Sequence, residues 1–168
     1  MQNQNLILNE RQILQKIRRI AYQIYENNFD ETHIVFAGIE GSGYTLAKML
    51  LQEFSQISKI ETTLAQILIN KQNPSQSEIQ LVPINKEMIK DKVIILCDDV
   101  LNTGKTLVYS LRCFINTNVK KIQTAVLVDR QHHNFPISAD YVGYQLATTL
   151  QEHVKVTLNE SEKSVYLF

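Results

Sequence analysis

Isoleucines at 13, 17, 20 and 24 recur at spacings of four, three and four, the period of one buried helical stripe. Asn9, with Gln12 three residues on, has the form of an N-cap with a capping box, and Asn27-Asn28 ends the helix. Residues 33–37 are a β-branched and aromatic run, the pattern of a strand buried on both faces. Residues 38–43 break it. A helix follows over 44–54, with Leu46, Met49, Leu50 and Glu53 spread around it. Residues 60–70 read as a strand, 71–77 as a polar, mobile loop containing Pro74, and 79–84 as a strand again. Asn85 caps a single turn through Met88.

Residues 92–97 form the most apolar strand, followed by a turn and a helix over about 104–116 whose inner face is Leu107, Leu111 and Phe114. Residues 122–128 are another buried strand. Short runs at 141–144, 154–158 and 165–168 close the chain as an antiparallel tail. Alternating strands and helices with buried strands predict an α/β protein around a mostly parallel sheet. Ligands in such sheets sit at the carboxyl ends of the strands, which directs attention to the loops after Ala37, Cys97 and Val128.

Length and charge narrow the classes. A chain of 168 residues suits one globular domain, and 17 basic against 17 acidic side chains exclude a strongly basic nucleic-acid-coating protein. Cys97 and Cys113 are too few for a disulfide scaffold or a four-ligand zinc site, and read as small buried hydrophobes in a reducing compartment. No apolar run approaches a membrane span, and residues 1–5 lack the features of a signal peptide, so a cytoplasmic location is expected.

The loop after the apolar strand carries the chemistry. The strand delivers Asp98 and Asp99 to its carboxyl end, where uncompensated carboxylates call for a cationic or polyhydroxyl ligand. Asn102-Thr103-Gly104-Lys105-Thr106 then opens a helix, and its backbone N–H groups and hydroxyls suit a phosphate dianion. Gly104 permits close approach of that phosphate. Acid groups for sugar hydroxyls beside a phosphate cradle describe a ribose 5-phosphate binder. The competing nucleoside-triphosphate P-loop reading of Gly104-Lys105-Thr106 fails because that pattern needs glycine where Asp99 stands.

Residues 94–106 resemble the phosphoribosyl-pyrophosphate motif of type I phosphoribosyltransferases. Leu8-Asn9-Glu10, Val126-Leu127-Val128-Asp129-Arg130 and the run from Phe135 to Gly143 are similar to the pyrimidine operon regulator/uracil phosphoribosyltransferase family. The resemblance covers about residues 8–158. It implies a single type I phosphoribosyltransferase domain over 1–168, its central sheet flanked by helices and topped by a small hood. The implied reaction is phosphoribosyl transfer to a nucleobase, uracil foremost, by displacement of pyrophosphate with Mg²⁺, in a homodimer. A catalytically weak nucleotide-sensing or RNA-binding regulator of pyrimidine genes is the alternative.

By the same likeness, Asp98 and Asp99 hold the ribose 2- and 3-hydroxyls and serve the metal indirectly, through pyrophosphate and ribose oxygens. Residues 102–106 grip the 5-phosphate, Gly41, Ser42 and Gly43 bind pyrophosphate, and Asp129 and Arg130 lie on the base side. Purine-using relatives commonly carry an aspartate where this chain has Asn102, which cannot act as a base. The chain also departs from the family pattern. Gly41-Ser42-Gly43 replaces Thr-Arg-Gly, and residues 67–80 contain Lys71 as their one cation where the family has Tyr-Arg-Asp-Asp. Lys71 is thus the catalytic cation expected, and weaker stabilisation of the leaving group follows. Arg11, Lys16, Arg18 and Arg19 make the first helix basic, but a solvated face is favoured over an RNA site at zero net charge. His132-His133 reads as polar loop rather than metal site.

Overall fold

The computed structural model describes residues 4–168. Met1 to Asn3, the start of both the expected leaderless N-terminus and the expected domain, lie outside the described residues. The order along the chain is β1 (Asn5–Leu8), α1 (Glu10–Asn28), β2 (His33–Ile39), α2 (Ser42–Ile57), β3 (Glu61–Leu68), β4 (Gln80–Val82) and the single turn α3 (Lys86–Ile89). Then follow β5 (Val93–Leu101), α4 (Lys105–Ser110), a 3₁₀ turn (Leu111–Cys113), β6 (Lys121–Asp129), β7 (Tyr141–Gln145), β8 (Val154–Leu158) and β9 (Lys163–Leu167).

The main sheet has six strands in the order β4-β3-β2-β5-β6-β7. Its pairings are parallel except β3 with β4. Alternation of side chains across the buried strands builds one core on each face. Phe36, Ile95 and Leu127 pack towards the isoleucine stripe of α1 and towards Leu46, Leu50 and Phe54 of α2. Val35, Ala37, Ile94, Leu96 and Val126 pack on the other side with Ile89, Leu107 and Phe114. The capping box at Asn9 and Gln12 forms in both directions, at 2.9 and 3.0 Å. Cys97 is buried in the first core, as expected of an inert thiol, while Cys113 is half-buried.

Three elements differ from the expectations. The helix expected to reach residue 116 stops at Ser110, whose hydroxyl donates to the Thr106 carbonyl at 2.7 Å, and the chain tightens into 3₁₀ geometry that turns Phe114 into the core. Residues 141–145 do not join the antiparallel tail. They run parallel to β6 as an edge of the main sheet, because Asp140 accepts from the Thr124 backbone N–H at 2.8 Å and holds the strand entry alongside β6. The tail itself is a small sheet, β1-β9-β8, in which β1 is a strand with no period long enough to reveal it.

Candidate active site

Sheet order reverses direction between β2 and β5, so the loops leaving their carboxyl ends diverge and open a crevice. Gly38 pairs in register with Cys97, which sets residues 40–43 beside Asp98. The contact is tight: a Cβ at Gly43 would lie 2.9 Å from Asp98 Oδ1 and 3.1 Å from the Cys97 carbonyl oxygen. Gly41 has φ +86°, which bends the chain sharply into α2. Glycines here therefore bring a helix start against the acid pair of β5, a strand that runs on through Asp98 and Asp99 to Leu101 instead of stopping at residue 97 as expected, because its pairing with β6 continues to Asp129.

Asp98 is buried, and its Oδ1 accepts from the Asp99 backbone N–H at 3.0 Å. Lys71 reaches over from residues 69–79 and places Nζ 3.5 Å from the same oxygen. Burial first, and the neighbouring Asp99 second, push the Asp98 carboxyl up to about 8, against the downward pull of Lys71. A carboxyl in that condition gains from any ligand that brings positive charge or hydroxyl donors. Residues 69–79 are held by their own polar groups, with Asn70 Oδ1 accepting from the backbone N–H groups of Gln72 and Asn73. Glu40 does not point its charge at the crevice freely. Its Oε1 accepts from the Ile69 N–H at 3.0 Å and ties the loop of residues 40–43 to the start of residues 69–79.

On the far side of Asp98 lies a half-open cavity of about 60 Å³, lined by residues 98 and 100–107. That is about two water volumes, the scale of a small anion. Gly104 has φ +86°, and a Cβ on it would lie 2.5 Å from the Ile137 side chain, so conformation and space both require glycine. Thr103 Oγ1 accepts from the Lys105 N–H at 3.3 Å, and the Thr103 carbonyl accepts from the N–H groups of Asn134 and Phe135. Lys105 is exposed and Thr106 half-buried at the rim.

Asp129 and Arg130 reach the neighbouring strand end but do not pair with each other. Asp129 Oδ1 accepts from the Gln131 N–H at 2.8 Å and from His133 Nε2 at 2.9 Å. The Arg130 guanidinium donates to Asn102 Oδ1 at 2.9 Å, to Thr148 Oγ1 at 3.0 Å, and to the carbonyls of Thr149 and Glu152. His132 Nε2–H donates to the Thr148 carbonyl. Thr148, Thr149 and Glu152 were invisible to sequence reasoning because no local pattern links them to a strand end about 20 residues earlier. Asp140 spends its carboxylate on Thr124 in mid-β6.

A parallel sheet with an acid pair and an anion-sized cavity at its switch point defines a protein that handles a phosphorylated sugar. The sequence profile of the phosphoribosyl transferase domain matches residues 3–161, and the chain belongs to that family, with the type I phosphoribosyltransferase fold. It is 36% identical over 163 residues to the bifunctional protein PyrR of Clostridium kluyveri, covering 94% of this chain and 92% of that protein. The PyrR of Deinococcus radiodurans is likewise 36% identical, with 93% and 88% covered. In fold the chain is similar to the hypoxanthine phosphoribosyltransferase of Trypanosoma cruzi, with TM-score 0.77, 14% identity and coverage of 97% and 95%. A hypoxanthine-guanine phosphoribosyltransferase of Bacillus anthracis gives TM-score 0.70 at 22% identity, with 84% and 82% covered. Phosphoribosyl transfer is the reaction class of this chain.

Proposed function

We propose that the chain transfers the ribose 5-phosphate of phosphoribosyl pyrophosphate to uracil and releases pyrophosphate. The observation that carries this reading is the buried Asp98 carboxyl, set between Gly43, Lys71 and the cavity of residues 100–107. Asp98 and Asp99 take the ribose hydroxyls. Asn102, Thr103, Gly104, Lys105 and Thr106 take the 5-phosphate; Gly41, Ser42 and Gly43, with Lys71, take the pyrophosphate. Asp129 and Arg130 shape the base side through the partners described above.

In the reaction a base nitrogen bonds to the anomeric carbon as the bond from that carbon to the pyrophosphate oxygen breaks. The leaving oxygen keeps the electron pair and the base proton passes to water. The protein contributes alignment and fixed charge rather than covalent chemistry.

Mg²⁺ fits the residues present. Asp98 and Asp99 offer hard oxygen atoms beside Lys71, suited to holding the ribose hydroxyls of a metal-bound substrate. Among the described residues no three His, Cys, Asp or Glu side chains form a cage. The aspartates would therefore hold the ion indirectly, through the ribose and pyrophosphate oxygens of the substrate. Bound there, Mg²⁺ supplies charge neutralisation for the pyrophosphate.

Uridine monophosphate formed from uracil and phosphoribosyl pyrophosphate, and lost on chelation of Mg²⁺, is the expected result of a direct assay. Absence of turnover with every common base overturns the reading. Lys71 as the sole cation of residues 67–80 favours a second reading, a pyrimidine-nucleotide-sensing regulator with weak turnover. Calorimetry showing nucleotide affinity without product would select it. An RNA site on α1 has less to support it: Arg19 is committed to the carbonyls of Val142 and Gly143, and Lys16 lies over the Tyr144 ring. A single domain over 1–168, core about 8–158, in a cytoplasmic homodimer completes the proposal. Among the described residues no helix is long and apolar enough to cross a membrane.

A further inference from the structure

Where β2 leaves the main sheet, a side chain continues the ladder that the backbone gives up. In a regular parallel pair, one residue donates its N–H to the neighbouring strand and accepts, with its own carbonyl, the N–H two residues further along that strand. Glu40 keeps the first half of this pattern, its backbone N–H donating to the Ile67 carbonyl at 2.9 Å. The chain then bends at Gly41, and the second half passes to the carboxylate, whose Oε1 accepts from the Ile69 N–H at 3.0 Å. Glu40 thus grips the exit of β3 on both sides of Leu68. Ile69 is buried, so its N–H would be costly to leave without this acceptor. Lys71 follows two residues on and places Nζ 3.5 Å from Asp98 Oδ1, although its side chain is 42% exposed. A lysine that exposed is held chiefly by where its backbone starts.

We propose that Glu40 is a positioning residue for Lys71. By carrying the ladder one step past the turn, its carboxylate fixes the direction in which residues 69–79 leave β3, and with it the place of the Lys71 ammonium beside Asp98 and residues 41–43. This rests on the reading that Lys71 meets the pyrophosphate of a bound substrate there. A free carboxylate at the head of that turn would repel a polyanion. Spent on a backbone N–H, it brings in a cation instead. Gly41-Ser42-Gly43 has no positive side chain of its own, and it obtains one from the neighbouring strand through the residue just before it.

The test is a set of variants of the full chain, each checked by thermal melting. Glu40→Ala removes the acceptor, and Glu40→Asp draws it back while keeping the charge. Each is expected to slow uridine monophosphate formation about tenfold, the loss expected of Lys71→Ala, and to add nothing to Lys71→Ala in a double variant. Glu40→Gln keeps an oxygen acceptor and is expected to rescue turnover. Amide hydrogen exchange gives a readout apart from activity: Ile69 should exchange about tenfold faster in the Ala and Asp variants than in the wild type and the Gln variant. Unchanged protection of Ile69, losses that add to that of Lys71→Ala, or a lower KM for phosphoribosyl pyrophosphate in both Glu40→Ala and Glu40→Gln would overturn the proposal, the last by showing that the carboxylate acts through repulsion. If the wild type turns over no base, the proposed function fails by itself. The same proteins titrated with Mg²⁺-pyrophosphate then decide: equal weakening by Glu40→Ala, Glu40→Asp and Lys71→Ala upholds the positioning role, and unequal affinities or no binding by the wild type end it.

Discussion

Two buried aspartates lie on the neighbouring parallel strands β5 and β6, and they are treated differently. Asp129 accepts from a backbone N–H and from His133, both within 2.9 Å. Asp98, within β5, has one backbone N–H and a lysine at 3.5 Å, too little against its burial and the neighbouring Asp99, which make its proton hard to remove. Burial alone does not mark a ligand site, since both are buried. What separates them is whether the protein has already answered the charge. The satisfied carboxylate is structural, and the one left short is where a ligand gains most.

The comparison can be broken most severely at Asp98 and Asp99. Asp99→Asn is expected to lower the rate of uridine monophosphate formation by about 10²–10³-fold, the scale of losing one preorganised electrostatic contact. Gly43→Ala puts a methyl group against Asp98 and should cost about 1–3 kcal/mol of stability through overpacking, read by denaturant titration, with activity falling alongside. Lys71→Ala is expected to slow turnover about tenfold, a 1.4 kcal/mol loss at the barrier, and to raise the Asp98 carboxyl further.

Asp98 also predicts a pH dependence. Its folded value lies near 8 and its unfolded value near 4, so the folded state holds the extra proton between them. Stability contributed by the neutral carboxyl is present below pH about 4 and is lost as pH rises towards 8. The melting temperature of the wild type should fall by several degrees across that window, and Asp98→Asn should flatten the profile. The smallest effect is expected at the satisfied aspartate's neighbour. His133→Ala removes one hydrogen bond and should cost about 1 kcal/mol by chemical denaturation, with KM for phosphoribosyl pyrophosphate unchanged.

The parallel core and the acid pair were legible because both are local: runs of β-branched residues, then two carboxylates, a glycine and hydroxyls within nine positions. Gly43 was visible as a glycine but not as the residue that admits Asp98, a contact made across 55 positions. Arg130 read as a ligand contact, since its carbonyl partners at 149 and 152 carry no side-chain signature. Residues 141–145 were misplaced for a similar reason. A half-buried edge strand has the same alternation whether it pairs parallel or antiparallel, and the Asp140–Thr124 bond that decides the matter is long-range.

The two glycines that open α2 are held for different reasons. Space around Gly41 is empty, and what demands glycine there is the backbone, φ +86° with ψ −135°, a combination open essentially to glycine alone. Position 43 is held by space instead, because even a methyl group displaces either the helix or the acid. A library randomised over residues 41–43 should therefore stay frozen at both ends and drift between them, which leaves Ser42 as the place where a cationic side chain could be restored to this turn.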